Sequence, residues 1–300
     1  MQRFIKMALF CIAFSSLLTA TDFRFVKIDV PDATTTTANG INARGDIVGS
    51  FVDGNGANHG FLLRKGVFST IDFPSASFTA ARAINARGDI VGRFDDASGN
   101  QHGYVLRDAH FTQIDYPGAS TTTARGINNA GDITGRHFDS AGNENGFILQ
   151  DGVFHNVRVP KSVTPLHPCS TDVWMVMDNG KVAVGDFCTD VDSGIHGYIR
   201  NKAGDFQIVD FPRSGAPCSA LRWINERGDI VGVYANTLDD CDNFLTHGFL
   251  LQQGKYIPFD VPRATFTFVF AIDDDGEIVG NYTDKNGDVH GFKAIPNNEQ

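Results

Sequence analysis

The stretch Ile41–Gly49, INARGDIVG, returns letter for letter at Ile84–Gly92, 43 positions later. A relaxed form of it starts at residues 41, 84, 127, 224 and 272, and a degenerate copy, VMDNGKVAVG, starts at Val176, so the spacings are 43, 43, 49, 48 and 48. Two further elements keep step with it. H-G-(F/Y) begins at His59, His102, His196, His247 and His290, with Asn145 standing for His in the third repeat. F-x-x-I-D-x-P, loosely kept, ends at Pro31, Pro74, Pro117, Pro160, Pro212 and Pro262. Each element occurs six times in one cyclic order, and a period of this length marks a chain of identical supersecondary units that bury their faces on one another.

Each unit contains four short runs with strand character. In the second they are FTAARAIN, DIVGRFD, HGYVLR and HFTQIDYP, separated by ARGD, DASGN and DA. The runs are rich in β-branched and aromatic residues and the separators are turn chemistry. No segment shows a useful helical period. Ile90 and Phe94 on one side of DIVGRF and Val91 on the other predict a strand buried on both faces. Six such units predict an all-β fold, a six-bladed β-propeller with four strands per blade; a β-solenoid is the alternative. Proline cannot donate to a ladder, which puts the IDYP strand on the outer edge, and the Ala- and Gly-bearing ARAIN strand suits the crowded inner ring. With the strands lettered A to D outward, the chain after its leader opens on a lone D strand, FRFVKIDVP, and ends on a C strand, HGFKAIPNNEQ. The N-terminal strand is therefore expected to complete the last blade, which removes the open edges.

The pattern G-I-N-x-x-G-D-I-V-G followed by G-x-x-H-G-F-L-L resembles that of the HAF-repeat family of bacterial secreted proteins, across essentially all of the chain beyond the leader. The triplet that names the family has Ala where this chain has Gly, and the third repeat reads NGF. The resemblance implies an extracellular repeat protein and carries over no catalytic residue.

Residues 1–20, MQRFIKMALFCIAFSSLLTA, read as a secretory signal peptide: Arg3 and Lys6, an apolar run, then small residues at Thr19 and Ala20. Residues 21–300 are then one propeller domain, secreted to the cell exterior or the periplasm. Loss of the leader moves the formal charge from −10 to −12, since it removes two basic residues and no acid. Nucleic acid and anionic lipid are poor partners for so acidic a chain. No other apolar run is long enough to span a membrane, so no membrane insertion is expected.

Four cysteines remain, Cys169, Cys188, Cys218 and Cys241, an even number that favours two disulfides in an oxidising compartment. All four lie in or beside the connections that are longer than in the other repeats, before strand A and after strand B of repeats four and five. Strands A and B are neighbours, which favours Cys169–Cys188 and Cys218–Cys241; Cys188–Cys218 is the alternative. CxxC spacing is absent and no metal site is expected from them.

The histidines of the HG element are spread around the ring by symmetry, and are expected to hold turn backbone at the start of strand C. Asp46, Asp89, Asp132, Asp229 and Glu277 in the A–B turn read as turn acceptors. Asp29, Asp72, Asp115, Asp210 and Asp260 near the end of strand D read as scaffold, with Arg158 breaking the set. The long loops hold Asp190, Asp192, Asp239, Asp240 and Asp242, a solvated acidic patch or a cation site, and His167, a surface residue. One ring position departs from the repeat. Two residues before each A-strand Ile equivalent stand Asn39, Arg82, Arg125, Trp174, Arg222 and Phe270. Arginine forks and aromatic faces near the axis suit an anionic or sugar-like ligand; the competing expectation is that they wedge between blades with Arg paired to a repeat Asp. No G-x-S-x-G, H-E-x-x-H or phosphate loop occurs, so no catalytic residue and no cofactor are assigned. The expected function is binding of a glycan, or of a secreted or cell-surface protein, through the face with the long loops. The alternative is a hydrolase or lyase of polysaccharide or lactone at the channel mouth.

Overall fold

The computed structural model describes residues 23–163, 168–189, 194–212, 218–243 and 245–297. Residues 1–20, expected to be a leader, and His167, Asp190 and Asp192 lie outside these. The described chain is an all-β propeller built of six antiparallel sheets, each of four strands. In the second sheet the strands are Phe78–Ile84, Ile90–Asp95, Gln101–Arg107 and His110–Ile114, hydrogen-bonded in that order. The inner strands of the six sheets are Thr35–Ile41, Phe78–Ile84, Thr121–Ile127, Asp172–Val176, Ser219–Ile224 and Phe266–Ile272. Each packs beside the inner strand of the next sheet, and Phe266–Ile272 packs beside Thr35–Ile41, so the row closes on itself. The N-terminal strand Phe23–Ile28 pairs with the C-terminal strand Val289–Pro296 as the outer strand of the last sheet, Phe23 opposite Pro296 and Ile28 opposite Gly291. The sixth sheet thereby reaches the same four strands as the others.

The repeated motif explains the packing residue by residue. Ile41, Ile84, Ile127, Ile224 and Ile272 are 1–4% exposed and lie near the axis, where they line a pocket at the A–B-turn end. The Asn that follows clamps the turn. The Asn42 Oδ1 accepts the backbone N–H groups of Arg44 and Asp46 at 3.0 and 3.1 Å, and its Nδ2 donates to the Asn85 carbonyl of the next sheet at 3.0 Å. Asn85, Asn128 and Asn225 repeat the inter-sheet bond, to the carbonyls of Asn128, Met177 and Asp273. The turn Gly has positive φ, +73° at Gly45 and +95° at Gly88, where other residues are strained. The turn Asp was expected to accept turn backbone. Asn does that instead, and Asp46 pairs with Arg44 and Arg64 at 3.3 and 3.0 Å.

The last Gly of the motif and the aromatic of the HG element form one unit. Gly92 stands opposite Tyr104 in register, and a Cβ there would run into the Ala80 carbonyl oxygen and the Tyr104 ring. Phe61, Phe147, Tyr198, Phe249 and Phe292 repeat the arrangement on Gly49, Gly135, Gly185, Gly232 and Gly280, and every one of these rings is at most 1% exposed. Burying each contributes about 1.5–3 kcal/mol. Sheets are also bridged by flat ring stacks: Phe73 on Phe94 and Tyr116 on His137 at 3.6 Å, and Phe211 on Tyr234 at 3.9 Å.

The HG histidines hold a different partner from the one expected. Their Nδ1 atoms meet the outer-strand aspartates and not turn backbone: His59–Asp72 2.8 Å, His102–Asp115 2.9 Å, His196–Asp210 2.8 Å, His247–Asp260 3.0 Å and His290–Asp29 3.0 Å. The cause is register. Strands C and D pair so that the residue after His faces the end of strand D, as Gly60 faces Ile71, which brings the following Asp beside the imidazole.

Candidate functional site

In all six sheets the pairing of the two inner strands slips by one residue, between Ala38 and Gly40, Ala81 and Ala83, Ala124 and Gly126, Val173 and Met175, Leu221 and Trp223, and Val269 and Ala271. The unpaired residues are Asn39, Arg82, Arg125, Trp174, Arg222 and Phe270. The ring position singled out in the sequence is thus a β-bulge repeated around the axis, and a bulge re-aims its side chain away from the ladder. Asn39 spends its Nδ2 on the Ala81 carbonyl at 2.8 Å.

Three of the five predicted residues converge tightly. The guanidinium carbons of Arg125 and Arg222 each lie 4.2 Å from the centroid of the Trp174 ring. Phe270 stands 6.5 Å from Trp174 and 4.7 Å from Phe268, and Arg222 also reaches Phe268 at 5.0 Å. The expected pairing of arginine with a repeat Asp does not occur. Arg125 pairs with Asp172 at 2.8 Å and Arg222 with Asp186 at 3.0 Å, and both acids are peculiar to the fourth sheet. Trp174 Nε1 donates to Asp186 Oδ2 at 2.7 Å. Asp172 and Asp186 face each other across the two strands. Burial pushes the Asp186 carboxyl up to about 6; Arg222 opposes this and the neighbouring Asp172 adds to it. Arg82, the fifth residue, does not join the tryptophan. It lies toward Arg125, Arg93 and Arg136.

Asp172, Asp186, Arg93 and Arg136 were not anticipated. Their signal was present in two register columns, Thr37, Ala80, Thr123, Asp172, Ala220, Phe268 and, opposite, Ser50, Arg93, Arg136, Asp186, Val233, Asn281. Only the fourth sheet has an acid in both, and only the second and third have arginine in the latter.

The disulfides are Cys169–Cys188 and Cys218–Cys241, with Cα atoms 5.5 and 6.0 Å apart. They staple the two strands of one sheet at the end where the long connections gather, and two disulfides indicate an oxidising environment. The second is presented by a one-turn helix, α1 (Leu238–Asp242), capped by Thr237, whose hydroxyl accepts from the Asp240 N–H. Cys218, Cys241, Thr246, Arg222 and Phe268 line a small pocket beside the tryptophan cluster. Asp239 and Asp240 lie in the first turn of α1. Among the described residues the three groups near enough to share a cation are Asp284, Asp288 and His290, elsewhere in the fold, with Asp284 Oδ1 taken by the Asn286 and Asp288 N–H groups. Among the described residues no helix is long and apolar enough to cross a membrane.

No family model matches the chain, and no curated protein does. Solved structures do resemble it. A streptogramin B lyase superposes with a TM-score of 0.50 at 12% identity, covering 93% of this chain and 100% of the lyase. The Aleuria aurantia lectin, described as a six-bladed β-propeller that recognises fucose, gives 0.53 at 10% identity over 92% of this chain and 99% of the lectin. A variant of that lectin in complex with α-methyl-L-fucoside gives 0.52 at 11% identity, over 92% of this chain and 99% of that one. At such identities the likeness establishes the propeller fold alone.

Proposed function

We propose that this chain is a secreted, six-bladed carbohydrate-binding propeller of the HAF-repeat kind, acting outside the cytoplasm and without catalysis. The ligand enters the axis from the end that carries the stapled long connections. The observation that carries this reading is Trp174, flanked by the guanidinium groups of Arg125 and Arg222 and bonded to Asp186. Trp174 is only 6% exposed and both its faces are covered, so it serves to hold the two guanidinium groups and the carboxylates as a fixed set of donors and acceptors for sugar hydroxyls. A glycan-binding lectin of the same fold class and similar length is consistent with it. The test is a glycan array with the leaderless protein, repeated with Trp174→Ala. Binding of a restricted glycan set by the parent, lost in the variant while the fold survives, is the expected result. A blank array together with capture of a defined protein from the native secretome would replace the sugar by a protein partner.

The second reading is a hydrolase or lyase acting on polysaccharide or lactone at the same mouth. The observation that favours it is the Asp172–Asp186 pair, in which one buried acid is pushed up to about 6. A carboxyl raised by burial beside a second acid is the usual equipment of a general acid. Release of reducing ends or unsaturated sugar from a polysaccharide panel, abolished by Asp186→Asn, would establish it.

A further inference from the structure

The guanidinium of Arg82 has no hydrogen bond and no ion pair among the described residues, and its Nε is buried with no acceptor. It sits in the bulge of the second inner strand, next in the ring to Arg125. Arg93 and Arg136, from the adjoining strands of the second and third sheets, stand opposite Ala80 and Thr123. Their own partners are spoken for: Arg93 donates to Gln101 Oε1 at 2.7 Å and covers the Phe78 ring at 4.4 Å, Arg136 pairs with Glu144 at 2.8 Å, and Arg125 with Asp172 at 2.8 Å. Gln101 is fixed in turn by Thr123. Arg93, Arg125 and Arg136 nevertheless keep a buried Nε–H without an acceptor, as Arg82 does.

The acids of this wall are Asp172 and Glu144, already paired, Asp95, which acts on Arg93, and Asp186, which pairs with Arg222 and also acts on Arg125 and Arg136. Counting Arg222, five guanidinium groups therefore share four carboxylates, and the one without an ion pair is Arg82. Burial, and then repulsion from Arg125, Arg93 and Arg136, lowers its pKa to about 9 against an opposing pull from Asp172, which still leaves it charged at neutral pH. Arg82 is part-buried, with its Nε enclosed and its Nη groups open to the centre of the ring, and a cation set there among other cations favours an anion that completes the set. Arginine forks suit a planar or tetrahedral oxyanion above other acceptors. The tryptophan cluster begins at Arg125, so an oxyanion at Arg82 lies one ring position away from it.

Resting on the carbohydrate reading above, we infer that the Arg82 corner is an oxyanion subsite and that the ligand is an acidic sugar. Its carboxylate or sulfate is held by Arg82 and Arg125 while its hydroxyls meet the polar groups that Trp174 holds in place, Arg222 and Asp186. The subsite differs from a general basic surface, because the chain as a whole is strongly acidic and this is a local excess inside the ring.

The experiment is calorimetric titration and thermal unfolding of the leaderless, disulfide-intact protein in low-salt buffer. The probes are uronate oligomers, sulfated galactose oligomers, their neutral counterparts and inorganic sulfate, against parent, Arg82→Gln and Trp174→Ala. The parent should bind one acidic oligomer at least about tenfold more tightly than the neutral one, the acidic arm that binds identifying the oxyanion. Arg82→Gln should lose that preference, and without added anion should melt no lower than the parent, which certifies its fold. Inorganic sulfate should raise the melting temperature of the parent but not of Arg82→Gln. Equal binding of acidic and neutral oligomers, unaffected by Arg82→Gln but lost in Trp174→Ala, would overturn the subsite and leave the sugar reading standing. A sulfate response that depends on Arg82 with no sugar bound at all would overturn the acidic sugar, and the carbohydrate reading with it.

Discussion

In the third sheet Arg158 Nη1 donates to Asn145 Oδ1 at 3.4 Å, in the place where the other five sheets join an imidazole to a carboxylate. The exchange is coordinated. Where His59 pairs across strands with Phe51 and His102 with Phe94, the third sheet pairs Asn145 with His137, so the imidazole has moved to the neighbouring strand. There His137 meets Asn156 Oδ1 at 3.1 Å and stacks on Tyr116. Two departures that look like independent losses of a repeat residue are one compensated change.

A double-mutant cycle tests that compensation. Asn145→His alone sets an imidazole against a guanidinium, and Arg158→Asp alone removes a donor from Asn145. Both should destabilise, and the double variant should recover a coupling of about 0.5–1 kcal/mol, kept small by the exposure of the outer-strand side chain. Urea unfolding of the four proteins gives the number. A coupling of zero would mean that the two positions vary independently.

Gly92 should be among the least replaceable residues of the chain. A Cβ there has no flexible neighbour to displace, because the obstructing atoms belong to the Ala80 backbone carbonyl and the packed Tyr104 ring. Gly92→Ala is expected to cost about 3 kcal/mol or more. Gly99→Ala, at φ +84° but with open space around it, should cost only about 1 kcal/mol. Chemical denaturation of the pair separates steric closure from backbone strain, and a reversed order would refute the packing account.

The contrast also explains what the bare sequence made legible. The sheet count, the strand order and the outer N-terminal strand followed from repeated Ile, Gly and Pro, because each repeats for a local steric or hydrogen-bonding reason. The disulfide pairing followed from the adjacency of strands A and B. The bulge residues were visible as a column of mismatches, though not as bulges, since one extra residue in a strand leaves no mark on composition. The partner of the HG histidines was missed because His59 and Asp72 lie 13 residues apart and meet only through the C–D register. Asp172 and Asp186 were missed because each alone reads as a polar residue on a strand; their meaning lies in facing each other.

The aromatic of the HG element is Tyr in the second and fourth sheets, and the two hydroxyls differ. Tyr198 donates to the Asp172 carbonyl at 2.9 Å, whereas the buried Tyr104 hydroxyl has no partner among the described residues. Tyr198→Phe should therefore cost about 1 kcal/mol, and Tyr104→Phe should be neutral or stabilising by a similar amount, since an unsatisfied buried hydroxyl is removed. Four sheets already carry Phe at this position: Phe61, Phe147, Phe249 and Phe292. Thermal unfolding of the two variants decides it, and equal losses would mean that Tyr104 finds a partner.

Asp273 occupies the place that Asn42, Asn85, Asn128 and Asn225 fill in other sheets. Its Oδ1 accepts the Asp275 and Glu277 N–H groups at 3.0 and 2.9 Å, as the amide oxygens do elsewhere. As an acid it is out of place: burial pushes it up to about 6, with Glu277 and Asp275 adding to the rise against the two N–H bonds. An acid whose folded pKa lies above its unfolded value of 3.8 keeps its proton longer when folded. Its contribution to stability therefore declines as pH climbs from about 4 to about 6, and the penalty is complete above that window. A rise of about two units corresponds to at most about 3 kcal/mol, and about 1–2 kcal/mol is expected once water relieves part of the burial. Asp273→Asn keeps the acceptor, removes the charge and points an amide toward the Asn42 carbonyl, the bond that would extend the inter-sheet series past the last sheet. The variant should match the parent near pH 4 and exceed it by about 1–2 kcal/mol at pH 7.5, read from urea midpoints at both values. A gain of the same size at both pH values would assign the benefit to the new amide bond and refute the proton linkage.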